Sequence, residues 1–190
     1  ALPAVSEGVF EEALRAHDGP LNQGQIDLAH QVACSEHIVT VGIGPAGTGK
    51  TTALKLAVTA ATSAGVTVHG ITVSAAAADQ LQQSTGMEST TIAKWLFEID
   101  RGRVAIGAGD IIVVDEAGMA SACDLAAITG HATAAGAFVR LSGDDRQLQA
   151  IGAGGSLKML AAEVGAVRLD QVHRFHDLAE AEASLELREH

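Results

Sequence analysis

The sequence predicts an α/β fold of three layers, a mostly parallel central sheet with helices on both faces. Three observations predict it. Runs rich in β-branched residues alternate with runs of helical periodicity along most of the 190 residues. One strand-like run, 37–43 (HIVTVGI), passes through Gly44-Pro45-Ala46-Gly47-Thr48-Gly49-Lys50-Thr51 straight into a helix-like run, 52–58. Another, Ile111-Ile112-Val113-Val114, is apolar throughout and ends in Asp115-Glu116, as a strand covered on both faces would be.

Taken in order, residues 5–17 form an amphipathic helix with Val9, Phe10, Ala13 and Leu14 on one face, broken by Asp18-Gly19-Pro20. A second helix starts at Asn22, with Gln25 three residues on in a capping-box arrangement. After the strand 37–43 and its glycine-rich loop, the helix from Thr52 ends near Gly65. Residues 66–73 make a strand segment, or two interrupted at Gly70. Ser74 can cap a helix reaching Leu81, and Ser89 or Thr90 can cap another through Ile92, Trp95, Leu96 and Ile99. Beyond Arg101-Gly102-Arg103 come the strand 111–114, an alanine-rich helix near 124–133 and a strand over 137–142. A loop from Gly143 to Gly155, a helix near 157–163, a short strand 166–169 and a charged final helix complete the chain.

Bulk composition narrows the function classes. The length suits one ordinary domain, and 47% hydrophobic residues is typical of a globular protein. No apolar run approaches the ~20 residues that span a bilayer, and the start lacks a basic-then-apolar signal pattern. Cys34 and Cys123 are expected as buried thiols in a reducing compartment, so the expected location is cytoplasmic. A net charge of -11 excludes a generally basic nucleic-acid surface, and 3% aromatic residues with no tyrosine leaves few stacking platforms. Contact with nucleic acid must then rely on backbone amides, hydroxyls and a few Lys or Arg.

Residues 44–51 fit the phosphate-loop pattern G-x-x-x-x-G-K-[ST] at every fixed position, between a strand and a helix. Glycines let such a loop turn its N–H groups inward, and the helix N-terminus adds positive partial charge. Lys50 can then reach the β- and γ-phosphates of a nucleotide, and the Thr51 hydroxyl can ligate Mg²⁺. The plainer alternative is a glycine-rich strand-to-helix turn with a chance lysine. Asp115 and Glu116 stand at the carboxyl end of a central strand, the edge where open α/β sheets bind ligands. Asp115 can hold Mg²⁺ through water, and Glu116 can orient or deprotonate an attacking water. Gln147, past the next strand, can sense a γ-phosphate. His173 and His176 are three apart without a cysteine or carboxylate cluster to complete a metal site. Trp95, beside Leu96 and Ile99 on a helix, fits a core position better than a base-stacking one.

With these motifs together, the chain resembles the first RecA-like lobe of a superfamily-one DNA helicase. Within that class it is most similar to the RecD-like group and the helicase portion of MobF-type, TraA-like conjugative relaxases. The resemblance covers roughly 21–174. Leu21-Asn22-Gln23-Gly24-Gln25 resembles the glutamine motif, which implies that Gln25 recognises adenine. Residues 44–52 match the first helicase motif, implying ATP contacts by Gly44, Pro45, Ala46, Gly47, Thr48, Gly49, Lys50, Thr51 and Thr52. Thr72-Val73-Ser74 with Ala77-Ala78 and Leu81 resembles the segment that contacts single-stranded DNA, and Thr90-Thr91-Ile92-Ala93-Lys94-Trp95-Leu96 the next such motif. Ser74 and Thr91 are the implied DNA contacts. Ser74 stands where a threonine is usual, and Ala93 where a histidine is often seen. Asp115-Glu116-Ala117-Gly118-Met119 is the second motif, Gly143-Asp144 with Gln147-Leu148 the third, and Leu169 with His173-Arg174 resembles the fourth.

The resemblance implies a P-loop NTPase that uses ATP and Mg²⁺ to move along single-stranded DNA, 5′-to-3′, in plasmid conjugative transfer. Lys50, Asp115, Glu116, Gln147 and Arg174 are its implied catalytic residues, with Thr51 and Asp115 on the metal. The implied organisation is a helical extension over 1–20, the lobe over 21–176, and a helix over 177–190 leading to a second RecA-like lobe. Further implied partners are a relaxase nuclease domain and the conjugation machinery, without membrane insertion. A single lobe is expected to bind ATP weakly, hydrolyse it slowly and not unwind DNA. Two other readings remain at this stage: a non-catalytic module that binds single-stranded DNA or a partner, and a small-molecule P-loop kinase, against which stands the lack of an arginine-rich lid.

Overall fold

The computed structural model describes residues 2–45, 47–144, 161–162 and 165–169. Its strands are β1 (Val39–Ile43), β2 (Val68–Thr72), β3 (Glu88–Thr91), β4 (Ile111–Val114), β5 (Phe138–Gly143) and β6 (Ala166–Arg168). They form one sheet in the order β3-β2-β4-β5-β1-β6, every pairing parallel. The helices are α1 (Glu7–Arg15), α2 (Gln23–Cys34), α3 (Lys50–Ser63), α4 (Ala75–Thr85), α5 (Ile92–Asp100) and α6 (Ala122–Ala135). The expected α/β fold is present.

The strand β4 explains the three layers. Side chains alternate along a strand, so its four apolar residues feed two cores. Ile111 and Val113 pack with Phe10, Leu28, Leu54 and Leu81 from α1 to α4 on one face. Ile112 and Val114 pack with Trp95, Leu125 and Ile128 from α5 and α6 on the other. Trp95 is 2% exposed, a core residue and not a stacking surface. All strands run parallel, so all their carboxyl ends share one edge. No helix of the described residues is long and apolar enough to cross a membrane.

Four expectations change. Residues 68–72 form one uninterrupted strand. Gly70 sits within it because β3 comes too close for a side chain: a Cβ there would lie 2.3 Å from Ser89 Oγ and 2.9 Å from Met87 Sδ. Ser89 and Thr90 belong to β3, and the residue that caps α5 is Thr91, whose Oγ1 accepts from Lys94 N at 3.2 Å. Helix α3 starts at Lys50, inside the loop motif itself. Cys34 is buried but Cys123, on the outer side of α6, is exposed, and both are free thiols. The expected loop over 145–155, most of the helix near 157–163 and the final charged helix lie outside the described residues.

Arg140, in the middle of β5, is 1% exposed. Its guanidinium donates to the carbonyls of Val32, Ser35 and His37, each at 2.8 Å, and lies over the Phe138 ring. Burial pushes its pKa down to about 10, so it stays charged at neutral pH. It therefore closes the C-terminal end of α2, whose last carbonyls have no helical partner. Arg140→Met is expected to lower stability by about 2–4 kcal/mol, since it leaves these carbonyls unpaired. Urea unfolding would show this as a lower midpoint at an unchanged slope. An unmoved midpoint would mean that the three bonds contribute nothing net.

Candidate functional site

The loop grows directly out of β1. Gly44 N donates to Gly143 O at 3.0 Å, which carries the β1–β5 ladder one step further. Thr48, fully buried, then bonds Pro45 O through both its amide (3.4 Å) and its hydroxyl (2.8 Å) and draws the loop into a turn. Gly47 and Gly49 take φ of 86° and 87°, which a side chain would resist. Gly49 O accepts from Ala53 N at 3.1 Å, so α3 begins at the end of the loop and directs its first N–H groups into it. Lys50, the first residue of α3, folds back over the loop and donates to the carbonyls of Gly44 and Pro45. Thr51 is exposed on the first helical turn and Thr52 half-buried. Ala46 lies outside the described residues.

Gln25 packs behind this loop. It completes the expected capping box with Asn22: Gln25 N donates to Asn22 Oδ1 at 2.8 Å, and Asn22 N to Gln25 Oε1 at 3.0 Å. Its amide nitrogen sits so close to Gly49 that a Cβ there would lie 1.9 Å away. Glycine is thus required at 49 by backbone angle and by contact. The carboxamide keeps its amide protons and one oxygen lone pair, the donor and acceptor that an adenine edge requires. Leu169 closes the other side, with its amide donating to Ile43 O at 2.8 Å.

The acidic pair stands on the same edge of the sheet. Strand β5 separates β4 from β1, which sets Asp115 and Glu116 about 10 Å to one side of the loop. Asp115 N donates to Ile71 O at 2.9 Å, tying the end of β4 to β2. Glu116 is the one non-glycine residue with positive φ among the described residues, at 53°. That conformation costs on the order of 1–3 kcal/mol. Glu116 is exposed, and its Oε2 accepts a hydrogen bond from Thr72 Oγ1 at 3.4 Å. Thr72, 1% exposed at the end of β2, was not among the expected site residues. The signal was a hydroxyl at the carboxyl end of the strand. Its partner, however, lies 44 residues on and only the sheet order reveals it.

Ser74 and Thr91 open the next two helices. Ser74 Oγ accepts from Ala77 N and Thr91 Oγ1 from Lys94 N, both at 3.2 Å. In each, the hydroxyl proton remains to be donated outward. Thr91 pairs with Thr72 in the sheet register, so the starts of α4 and α5 stand side by side. Together with α3, three helix N-termini face one edge, a local positive field in a chain of net charge -11. Gln147, His173, Arg174 and His176 lie outside the described residues.

An AAA domain family model matches residues 20–190. The chain is similar to a probable conjugal transfer protein TraA from Sinorhizobium fredii, 37% identical over 183 residues, covering 96% of this chain and 16% of that protein. A conjugal transfer protein TraA from Rhizobium radiobacter is 34% identical over the same shares of each. An ATP-dependent RecD2 DNA helicase from Deinococcus radiodurans is 31% identical over 158 residues, 81% of this chain and 22% of the helicase. The chain thus spans 16% of the length of these TraA relatives. Loop, acidic pair and parallel sheet, as the described residues form them, agree with this match. The chain belongs to the AAA domain family, and its likeness to TraA proteins and to a RecD2 helicase is the one that its motifs led us to expect.

Proposed function

We propose that this chain is the ATP-binding lobe of an ATP-dependent motor that moves along single-stranded DNA, 5′-to-3′, in conjugative transfer. The observation that carries it is the shared edge: phosphate loop, acidic pair and the hydroxyl-capped starts of α4 and α5 all stand there. The residues fit Mg²⁺-ATP. Gly47 and Gly49 keep side chains out of the loop, the Thr51 hydroxyl is exposed beside it, and Asp115 is a half-buried carboxylate. In this reading Gln25 binds adenine, the loop and Lys50 hold the phosphates, and Thr51 and Asp115 hold the metal, which would offset phosphate charge. Glu116 takes a proton from the attacking water. Ser74 and Thr91 donate to DNA phosphates, while Gln147 and Arg174 sense the γ-phosphate. A second RecA-like lobe and a relaxase domain are proposed partners.

The test is binding of a fluorescent ATP analogue with and without Mg²⁺, followed by hydrolysis and unwinding assays on the chain. Weak Mg²⁺-dependent binding, slow turnover and no unwinding are expected. A folded chain that ignores nucleotide would sink the proposal, and efficient unwinding by this chain would remove the need for a second lobe. Thr72→Val keeps shape but loses the hydrogen bond to Glu116. Hydrolysis is expected to fall by about tenfold at unchanged ATP affinity, as a misoriented general base would produce. Equal turnover by the variant would show that the 3.4 Å contact has no catalytic consequence.

A further inference from the structure

Away from the sheet edge, the start of α1 meets the end of α2. His30 and Cys34 are four residues apart on α2 and so share a face, and Glu7 opens α1 opposite them. The Glu7 carboxylate oxygens lie 2.9 and 2.8 Å from His30 Nε2. A Glu7 oxygen, a His30 ring nitrogen and Cys34 Sγ all lie within 4.8 Å of one another. Neighbours hold these donors in place. Phe10 meets the His30 ring edge-on with centroids 5.1 Å apart, and Val5 N donates to Ala33 O at 3.2 Å. Arg140 binds the carbonyls of Val32 and Ser35, on either side of Cys34. None of the three donors takes part in the proposed nucleotide chemistry.

We propose that Glu7, His30 and Cys34 form a site for a zinc-class divalent cation, which clasps α1 onto α2. A sulfur, an imidazole nitrogen and a carboxylate oxygen select a borderline-soft ion over Mg²⁺ or Ca²⁺. Three protein ligands leave the fourth tetrahedral position to water. Bond lengths of such an ion put its ligands roughly 3.3–3.8 Å apart. The present spacing reaches that by rotation of the exposed Glu7 and half-exposed His30 about the buried Cys34.

A metal at this site competes with the proton on sulfur. Burial, and then the Glu7 carboxylate, push the Cys34 thiol up to about 12, with Arg140 acting against them. A divalent ion reverses this balance. As the sulfur–metal bond forms, Cys34 gives its proton to solvent, and the proton that His30 Nε2 directs at the Glu7 carboxylate leaves for solvent or moves to Nδ1, so that a neutral imidazole lone pair meets the ion. Thiolate and carboxylate then match the charge of the ion, while Arg140 stays bonded to its carbonyls.

The test uses the chain with Cys123→Ser, stripped by chelator, kept reduced and titrated with Co²⁺ as a coloured stand-in, then Zn²⁺. Expected are one equivalent bound, a thiolate-to-cobalt absorption band that Zn²⁺ displaces, and a higher thermal midpoint. The band should vanish in Cys34→Ser, and Glu7→Gln and His30→Gln should weaken binding by about tenfold or more. A folded chain without the band, a band that survives Cys34→Ser, or affinity unchanged in both other variants would overturn the site. Should Cys34→Ser not fold, the two variants at solvent-facing side chains decide the matter.

Discussion

Lys50→Ala is expected to lose Mg²⁺-ATP binding by about 10²–10³-fold and to lose measurable hydrolysis, with the fold intact. A unit charge about 4 Å from a phosphate oxygen is worth roughly 4 kcal/mol at the effective dielectric of a partly exposed site, which is that range of affinity. Lys50 also donates to Gly44 O and Pro45 O, so its removal loosens the loop in the free chain as well. The fold should tolerate it, because position 50 is half-buried and opens a helix that alanine suits. Titration with a fluorescent nucleotide and thermal unfolding of both proteins check this. Binding within twofold of the parent would mean that the loop is a plain turn and not a phosphate site.

Glu116→Gln separates binding from chemistry. The amide keeps the size of the carboxylate and can still accept from Thr72, but it cannot take a proton. Hydrolysis should fall by about 10²–10⁴-fold while nucleotide affinity changes little. The backbone supports this assignment, since a glutamate held at φ 53° persists only where its surroundings demand it. Single-turnover hydrolysis at saturating ATP is the readout. A variant as fast as the parent would place the general base elsewhere.

Much of this site was legible because its signals are local. The Asn22–Gln25 capping box, the glycine-rich loop between strand and helix, and the apolar β4 ending in Asp115-Glu116 each need only a few consecutive residues to be recognised. The three-layer fold followed from β4, whose unbroken Ile-Ile-Val-Val has no polar side to offer to water. What escaped was non-local or polar. Glu-Ser-Thr-Thr has neither the alternation nor the apolar content of a strand, and it forms β3 only because the free edge of β2 pairs with it. Arg140 interrupts an apolar strand, and its reason lies over a hundred residues earlier, in the carbonyls of α2. Thr72 and Glu116 meet because β2 and β4 are neighbours, which the chain order does not announce. The roles implied for Gln147 and Arg174 await residues outside the described part.

The steady-state rate of ATP hydrolysis with and without single-stranded DNA, measured on a polypeptide that joins this lobe to a second RecA-like lobe, tests the central claim most directly. A motor lobe predicts a slow basal rate that single-stranded DNA raises by about tenfold or more, with added salt suppressing the gain as phosphate contacts are lost. The same rate with and without DNA, or transfer of the γ-phosphate to a small molecule, would contradict it.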